Sequence, residues 1–407
     1  MDFQSSVEHS PGRKTKLFTA LFLAGLFALS SLAVLGVVAA PTVKTVGVGA
    51  YPSGVAVNPY TGIAYVTDNG DNNVTAIDGS TGNLVANISV GYGPLGIDVN
   101  PTNGRIYAVD NVDNNVSVID SSTNKVIANV TVGNAPEGVA VNNATGYVYA
   151  VNYNDNTVSV ISGSTNTVLK NITVGDSPMA DAVNPVTNKV YVVDNVDGNV
   201  SVIDGTTNEV TLNITTGSSP VAVAVNPLTN MIYVADNIDN VVNVIDGSTN
   251  QVVANITVGS GPSSVAVDPT TNTVFVTNYN DNTVSVISGA TNTVTSTINV
   301  GNSPAASAYD WKNGILYVAN YGDNSVSLIK GATVHQTTSH SSSTTSSHST
   351  TSSTTTTSSS SSSSSGIPEF PPAIGVAVVV TIVMLASYVL VRRVSTSRLN
   401  GPSVPLR

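Results

Sequence analysis

The sequence predicts an all-β protein, a seven-bladed β-propeller built from four-stranded antiparallel blades. Three observations predict it. A proline in a "VG..P" pattern recurs at Pro52, Pro94, Pro136, Pro178, Pro220, Pro262 and Pro304, a spacing of 42 residues without insertion. Each unit holds four short runs rich in Val, Ile and Tyr, separated by Asn, Asp, Gly and Pro. The seventh unit lacks its fourth run, and a spare run precedes the first unit. A fixed period of this length marks a repeat architecture, and four strands in about 42 residues make one blade.

The second unit shows the elements in order. "GIDVN", "RIYAVD", "VSVID" and "KVIANVTVG" are joined by "PTNG", "NVDNN" and "SSTN". Short β-branched and aromatic runs bounded by turn formers read as strands. Runs such as "YVVD" and "VSVI" do not alternate cleanly, as expected where neighbouring blades cover both faces of a sheet. The seventh unit supplies "AASAYD", "ILYVAN" and "SVSLI", and then passes through "KGAT" to "VHQTTSH". "PTVKTVGVG", residues 41–49, matches "NLVANISVG" of the first unit. Val43, Val46 and Val48 are therefore expected to supply the outermost strand of the last blade and close the ring.

The units come in two kinds. Units one, two, four and five end their second and third strands on aspartate: Asp68 and Asp78, Asp110 and Asp120, Asp194 and Asp204, Asp236 and Asp246. Units three and six carry Asn152, Tyr153 and Ser162, then Asn278, Tyr279 and Ser288, and unit seven is close to these with Asn320 and Tyr321. Residues 152–168 and 278–294 differ at one position. This order indicates duplication of a three-blade block, so the repeated wording reflects chain history and blade sterics.

Composition narrows the function. The 407 residues contain no cysteine, which excludes disulfides and thiol chemistry. Net charge is −11, and residues 41–330 hold 22 acids against 7 bases. A nucleic-acid partner would want a basic stripe instead. An acidic exterior suits a solvated surface that repels its own copies.

Both ends carry membrane signals. An apolar run over 17–40 comes after Arg13, Lys14 and Lys16, so residues 1–40 read as a signal peptide or a retained signal anchor, with the chain beyond residue 40 exported. Residues 41–333 form the propeller. Residues 334–366 are a Ser/Thr-rich stalk that cannot form a core, and 367–372 are a short segment containing "IPEFP". Ala373–Val391 is apolar and long enough to span a bilayer. Arg392, Arg393 and Arg398 place the tail, 392–407, in the cytoplasm.

"YVTD" at 65–68 and "FVTN" at 275–278, each trailed by "DN.VSVI" and "TN.V…VG", resemble the YVTN family of seven-bladed propellers found in surface-layer and cell-envelope proteins. The resemblance covers roughly residues 43–333 and runs through all seven units. Pro368, Glu369, Phe370 and Pro371 resemble the PEF-type sorting signal of archaeal surface proteins, which implies cleavage near that motif and exchange for an anchor.

The chain is expected not to be an enzyme. Its four histidines, His9, His335, His340 and His348, all lie outside the blades, so no Ser–His or Cys–His pair can form there. Propellers of the lactonase or lyase kind need His or Glu as base or metal ligand. Here the two glutamates, Glu137 and Glu209, occupy unrelated positions in their units. Imidazole sites for copper or zinc are likewise missing. No cofactor is assigned with certainty.

Carboxylates are the remaining resource. Asp71, Asp113, Asp155, Asp197, Asp239, Asp281 and Asp323 recur in the turn between second and third strands, on the rim that carries the "VG..P" turns. Ordinary hairpin chemistry accounts for them. The alternative is calcium, which needs six to eight clustered oxygens. Only the first kind of unit pairs two aspartates: Asp68 with Asp71, Asp110 with Asp113, Asp194 with Asp197 and Asp236 with Asp239. These four pairs are the candidate Ca²⁺ sites. Sequons at Asn73, Asn87, Asn115, Asn129, Asn143, Asn171, Asn199, Asn213 and Asn255 favour N-glycosylation of an exported chain. The expected function is a non-catalytic cell-surface propeller held off the membrane on its stalk. It would be an envelope component or adhesion module with surface glycans or envelope proteins as partners. A lactonase- or lyase-like enzyme and a ligand-free lattice spacer are the alternatives.

Overall fold

The computed structural model describes residues 40–333, which form twenty-eight strands, β1 to β28 in chain order, in seven antiparallel sheets of four. Blade one holds β2 (Pro52–Asn58), β3 (Ile63–Asp68), β4 (Asn73–Asp78) and β5 (Asn83–Ser89), each paired with the next. Blades two to six repeat this pattern every four strands. Blade seven combines both ends of the ring: β26 (Pro304–Asp310), β27 (Ile315–Asn320) and β28 (Ser325–Lys330), with β1 (Thr42–Gly47) outermost. Val43 pairs with Ile329 and Val46 with Val326. Val48 lies just past β1, and its N–H donates to the Asn324 carbonyl at 3.0 Å. The expected closure is therefore observed, and no sheet is left short of a strand.

Burial grades outward along each blade. Every residue of β2 is buried, as is every residue of the other innermost strands, because each is packed between two neighbouring blades. The outermost strands are mostly exposed and bury one full side chain each: Val46, Ile88, Val130, Ile172, Ile214, Ile256 and Ile298. A register shift near the start of the innermost strand, as between Pro52 and Gly54, and another between Ala76 and Ile77, bend the sheet. Bulges of this kind add local twist.

A ring of aromatic side chains locks blade to blade. Tyr65, Tyr107, Tyr149, Tyr191, Tyr233, Phe275 and Tyr317 occupy one position of the second strand and are all buried. The Tyr149 hydroxyl donates to Asn208 of the next blade at 3.1 Å. At the seam the Tyr317 hydroxyl sits where a Cβ at Gly79 would fall. This turn therefore takes glycine for space.

The leader expected over 1–40 (Ala40 apart), the stalk at 334–366, the sorting segment at 367–372, the span at 373–391 and the tail at 392–407 lie outside the described residues. Among the described residues no helix is long and apolar enough to cross a membrane.

Candidate functional site

The rim aspartates are structural ties. Ala50 N–H donates to Asp71 Oδ2 at 2.8 Å, Tyr92 N–H to Asp113 at 2.8 Å, and Asn134 N–H to Asp155 at 2.8 Å. Asp197, Asp239, Asp281 and Asp323 accept from Asp176, Ser218, Ser260 and Asn302 at 2.6–3.2 Å. In every blade the donor is the residue 21 positions earlier, in the loop that enters the same blade.

The asparagine after the aspartate ties the next blade. Gly93 N–H donates to Asn72 Oδ1 at 3.0 Å, and Ala135 N–H to Asn114 Oδ1 at 2.8 Å. At the seam, Tyr51 N–H donates to Asn324 Oδ1 at 3.0 Å. These asparagines adopt positive φ near 55°, which Asn tolerates better than most residues. Gly198 takes the position in blade four and offers no side chain, and Ser219 N–H turns to Asp236 instead, at 3.2 Å.

Calcium is corrected on this geometry. The partners of Asp71 and its equivalents are backbone amides, which a cation would repel. Their companions point away from solvent. Asp68, Asp110 and Asp194 are fully buried and accept from Thr75, Ser117 and Ser201 at 2.5, 2.6 and 2.6 Å. Burial pushes each of these carboxyls up to about 7. Asp236 is raised for the same reason. Among the described residues no group of three or more His, Cys, Asp or Glu side chains is arranged to hold a metal ion. In blades three, six and seven the hydrogen bond runs the other way, with Asn152, Asn278 and Asn320 Nδ2 donating to Ser159, Ser285 and Ser327 at 2.9 Å. The two kinds of unit are thus two solutions to one buried pairing.

Three acids, Asp98, Glu137 and Asp181, lie inside innermost strands rather than at their ends, and the sequence attached no role to them. Asp98 accepts from Val99 N–H at 2.7 Å and, across the blade boundary, from Val141 N–H at 2.8 Å. Burial pushes Asp98 up to about 8. Glu137 accepts from Asn111 Nδ2 at 3.1 Å, and its other oxygen is buried without a partner. Asp181 is buried with neither oxygen in a hydrogen bond. Desolvation raises both carboxyls far above the ordinary range, and the charge of Asp98 adds to the shift at Asp181. Asp98 accepts from the inner edges of blades two and three, and Asp181 lies on the inner strand of blade four. The signal for them was present as an acid interrupting an apolar run, in "GIDVN" and "PMADAV".

The sequons divide by exposure. Asn87, Asn129, Asn171, Asn213 and Asn255 are exposed on outermost strands. Asn73 is buried, and Asn115, Asn143 and Asn199 are half-buried.

A cleft of about 350 Å³ opens on the face opposite the rim, where blades seven and one meet. The turns after β2 and β26 line it, with Asp78, Ser80 and Lys330. Lys312 Nζ stands 5.3 Å from the centre of the Tyr60 ring, which meets Trp311 edge-on at 6.4 Å. Asp78 accepts from Ser80 N–H at 2.8 Å and Ser80 Oγ at 2.6 Å, bonds that hold its carboxyl below the ordinary range. The cleft is thus concave and polar, with one aromatic wall, Tyr60.

Comparison with known proteins gives three findings. The family model of the Cytochrome D1 heme domain matches residues 60–191. Among solved structures, Kuenenia stuttgartiensis hydrazine synthase is similar with a TM-score of 0.64 at 18% identity, over 69% of this chain and 95% of that chain. No curated protein matches by sequence. The structural likeness carries the fold alone, and a fold does not choose a chemistry.

The expectation that the chain is not an enzyme is corrected by these findings. A haem-domain model matches residues 60–191, so histidine-free blades are no ground for denying catalysis. Among the described residues a haem iron would find exposed tyrosines, Tyr51, Tyr60 and Tyr92, but no imidazole or thiolate. Iron is usually held by His, Cys, Met or Tyr. Residues 40–333 contain no His or Cys, Met179 is buried in the core, Met231 packs against it, and the tyrosines of the ring are wedged between blades. The chain is a seven-bladed propeller similar over residues 60–191 to a haem domain, with blades that offer a haem iron no imidazole or thiolate.

Proposed function

We propose that this chain is an exported propeller displayed on the outer face of a membrane, where it binds surface glycans or envelope proteins. The stalk at 334–366 holds it away from the span at 373–391. One observation carries the reading. Asn129, Asn171 and Asn255 each lie two residues after an exposed apolar side chain, Ile127, Leu169 and Val253, on the outermost strand, and Asn87 stands in the same relation to Val85. Each of these apolar residues is the extra residue of a bulge, skipped in the pairing with the third strand, and so stands exposed close to its sequon. Glycan there would cover apolar surface and blunt an edge that otherwise invites association. The YVTN-like repeat, the Pro368–Pro371 motif and the basic residues flanking each apolar run support the same location.

The test is the intact mass of the protein isolated from membranes. Added hexose mass, or loss of the leader, supports the reading. The unmodified mass of the whole chain, 41.5 kDa, contradicts it.

The haem-domain match favours a second reading, in which the propeller belongs to an enzymatic assembly and a haem is held outside residues 40–333, where all four histidines lie. An absorption spectrum of the native protein decides it. A haem Soret band supports this reading, and a spectrum of aromatic absorption alone sinks it.

A further inference from the structure

The seam cleft departs from the repeat in its chemistry. The turn after β2 reads Pro59–Tyr60–Thr61–Gly62, and the turn after β26 reads Trp311–Lys312–Asn313–Gly314. The equivalent turns of blades two to six carry no aromatic residue and no base. Both exceptions fall in the two blades that meet at the seam, so the ring brings Tyr60, Trp311 and Lys312 together. Gly62 helps to leave the space open. In blades four to six its position is held by Asn188, Asn230 and Asn272, whose side chains accept hydrogen bonds from the preceding blade.

Charge sharpens the reading. Residues 41–330 hold 7 bases against 22 acids, yet two of the bases, Lys312 and Lys330, line this one cleft. Neither forms an ion pair among the described residues. Asp78 is the single acid lining the cleft, and Ser80 already engages one of its oxygens. Two ammonium groups therefore face an acceptor-rich cleft beside an exposed tyrosine ring.

We propose that the seam cleft binds a saccharide bearing a carboxylate. A sugar ring presents C–H groups that pack on an aromatic side chain, which Tyr60 supplies. The carboxylate lies between Lys312 and Lys330, as point charges suit. Asp78 and Asn313 take the hydroxyls. A bare anion would need no aromatic wall, and an extended peptide would need a free sheet edge, which the closed seam does not offer. The proposal deepens the display reading and depends on it only for where the saccharide comes from.

Trp311 is the single tryptophan of the chain and meets the Tyr60 ring edge-on, so its fluorescence reads the cleft through that contact. The full-length protein in detergent is titrated with glucuronate, glucose, acetate and inorganic phosphate. Glucuronate is expected to give a saturable change, with glucose about tenfold weaker or worse and acetate and phosphate without effect. Lys330→Ala is expected to weaken glucuronate about tenfold while leaving the melting curve in place. Glucose or phosphate binding as well as glucuronate overturns the proposal, as does no saturable change, or a Lys330→Ala protein that binds like the parent. These readouts are made in solution, so they fail or succeed independently of where the protein is displayed.

Discussion

Asp68 lies directly across from Asn73 in the register of β3 and β4, and each side chain holds one buried oxygen that no donor reaches. The same holds for Asp110 with Asn115 and Asp194 with Asn199. A buried carboxylate beside a second unpartnered acceptor is costly, and a neutral carboxyl removes its charge and adds a donor.

Stability is therefore expected to fall as pH rises. The folded value of these three groups is about 7 and the ordinary value is 3.8. Their contribution is fully present below the ordinary value and is lost as pH climbs through about 7. Asp98, Glu137 and Asp181 act in the same direction. Asp78, Asp120, Asp204 and Asp246 are shifted the other way, and their effect lies below the ordinary carboxyl value. Thermal melts from pH 5 to pH 9 should thus show a falling midpoint; a rising one would refute the neutral assignment. Asp68→Asn with Asn73→Thr rebuilds the pairing of Asn152 and Thr157 in blade three. It should raise stability at pH 8 by about 1–2 kcal/mol and flatten the pH profile.

Calcium should leave the melting midpoint unchanged, and so should its removal with a chelator. Asp71→Ala should lower the midpoint by roughly 2–4 °C through loss of the tie to Ala50. Calorimetry with and without the ion reads both effects. A calcium-dependent rise that Asp71→Ala removes would restore the metal reading.

Gly79→Ala should cost roughly 1–3 kcal/mol, since the new methyl group would meet the Tyr317 hydroxyl. Tyr317→Phe, the residue that Phe275 already provides in blade six, should recover part of that loss. Denaturant titration of the single and double variants shows whether the two sites are coupled.

Closure by β1 can be tested with two valines of one strand. Val46 is 8% exposed and Val43 is 43% exposed. Val46→Asp buries an unpaired charge and should destabilise the ring by roughly 2–4 kcal/mol or leave the seam open to aggregation. Val43→Asp should shift stability by no more than about 0.5 kcal/mol. Equal effects would mean that β1 does not seal blade seven.

The ring was legible because its period is written in the residues. Pro52 and its six equivalents each begin an innermost strand, and "PTVKTVGVG" matched the missing outermost strand. The positions of the rim aspartates were legible as well, but not their partners. Asp71 bonds an amide 21 residues back, at the entry of its own blade, and Asn72 one 21 residues ahead, a relation that exists only once blades are side by side. Asp98 drew no reading from the sequence, because its second partner, Val141, belongs to the next blade. The seam cleft had a signal in Tyr60 and Trp311, which break the repeat in the first and last units. Those units look remote along the chain and become neighbours only when the ring closes.

Display on the cell surface is the central claim, and a membrane-impermeant amine reagent applied to intact cells tests it most directly. Lys44, Lys125, Lys170 and Lys312 are exposed on the propeller. The account expects them to be labelled on intact cells to the same extent as after lysis. Labelling that appears only after lysis would contradict it.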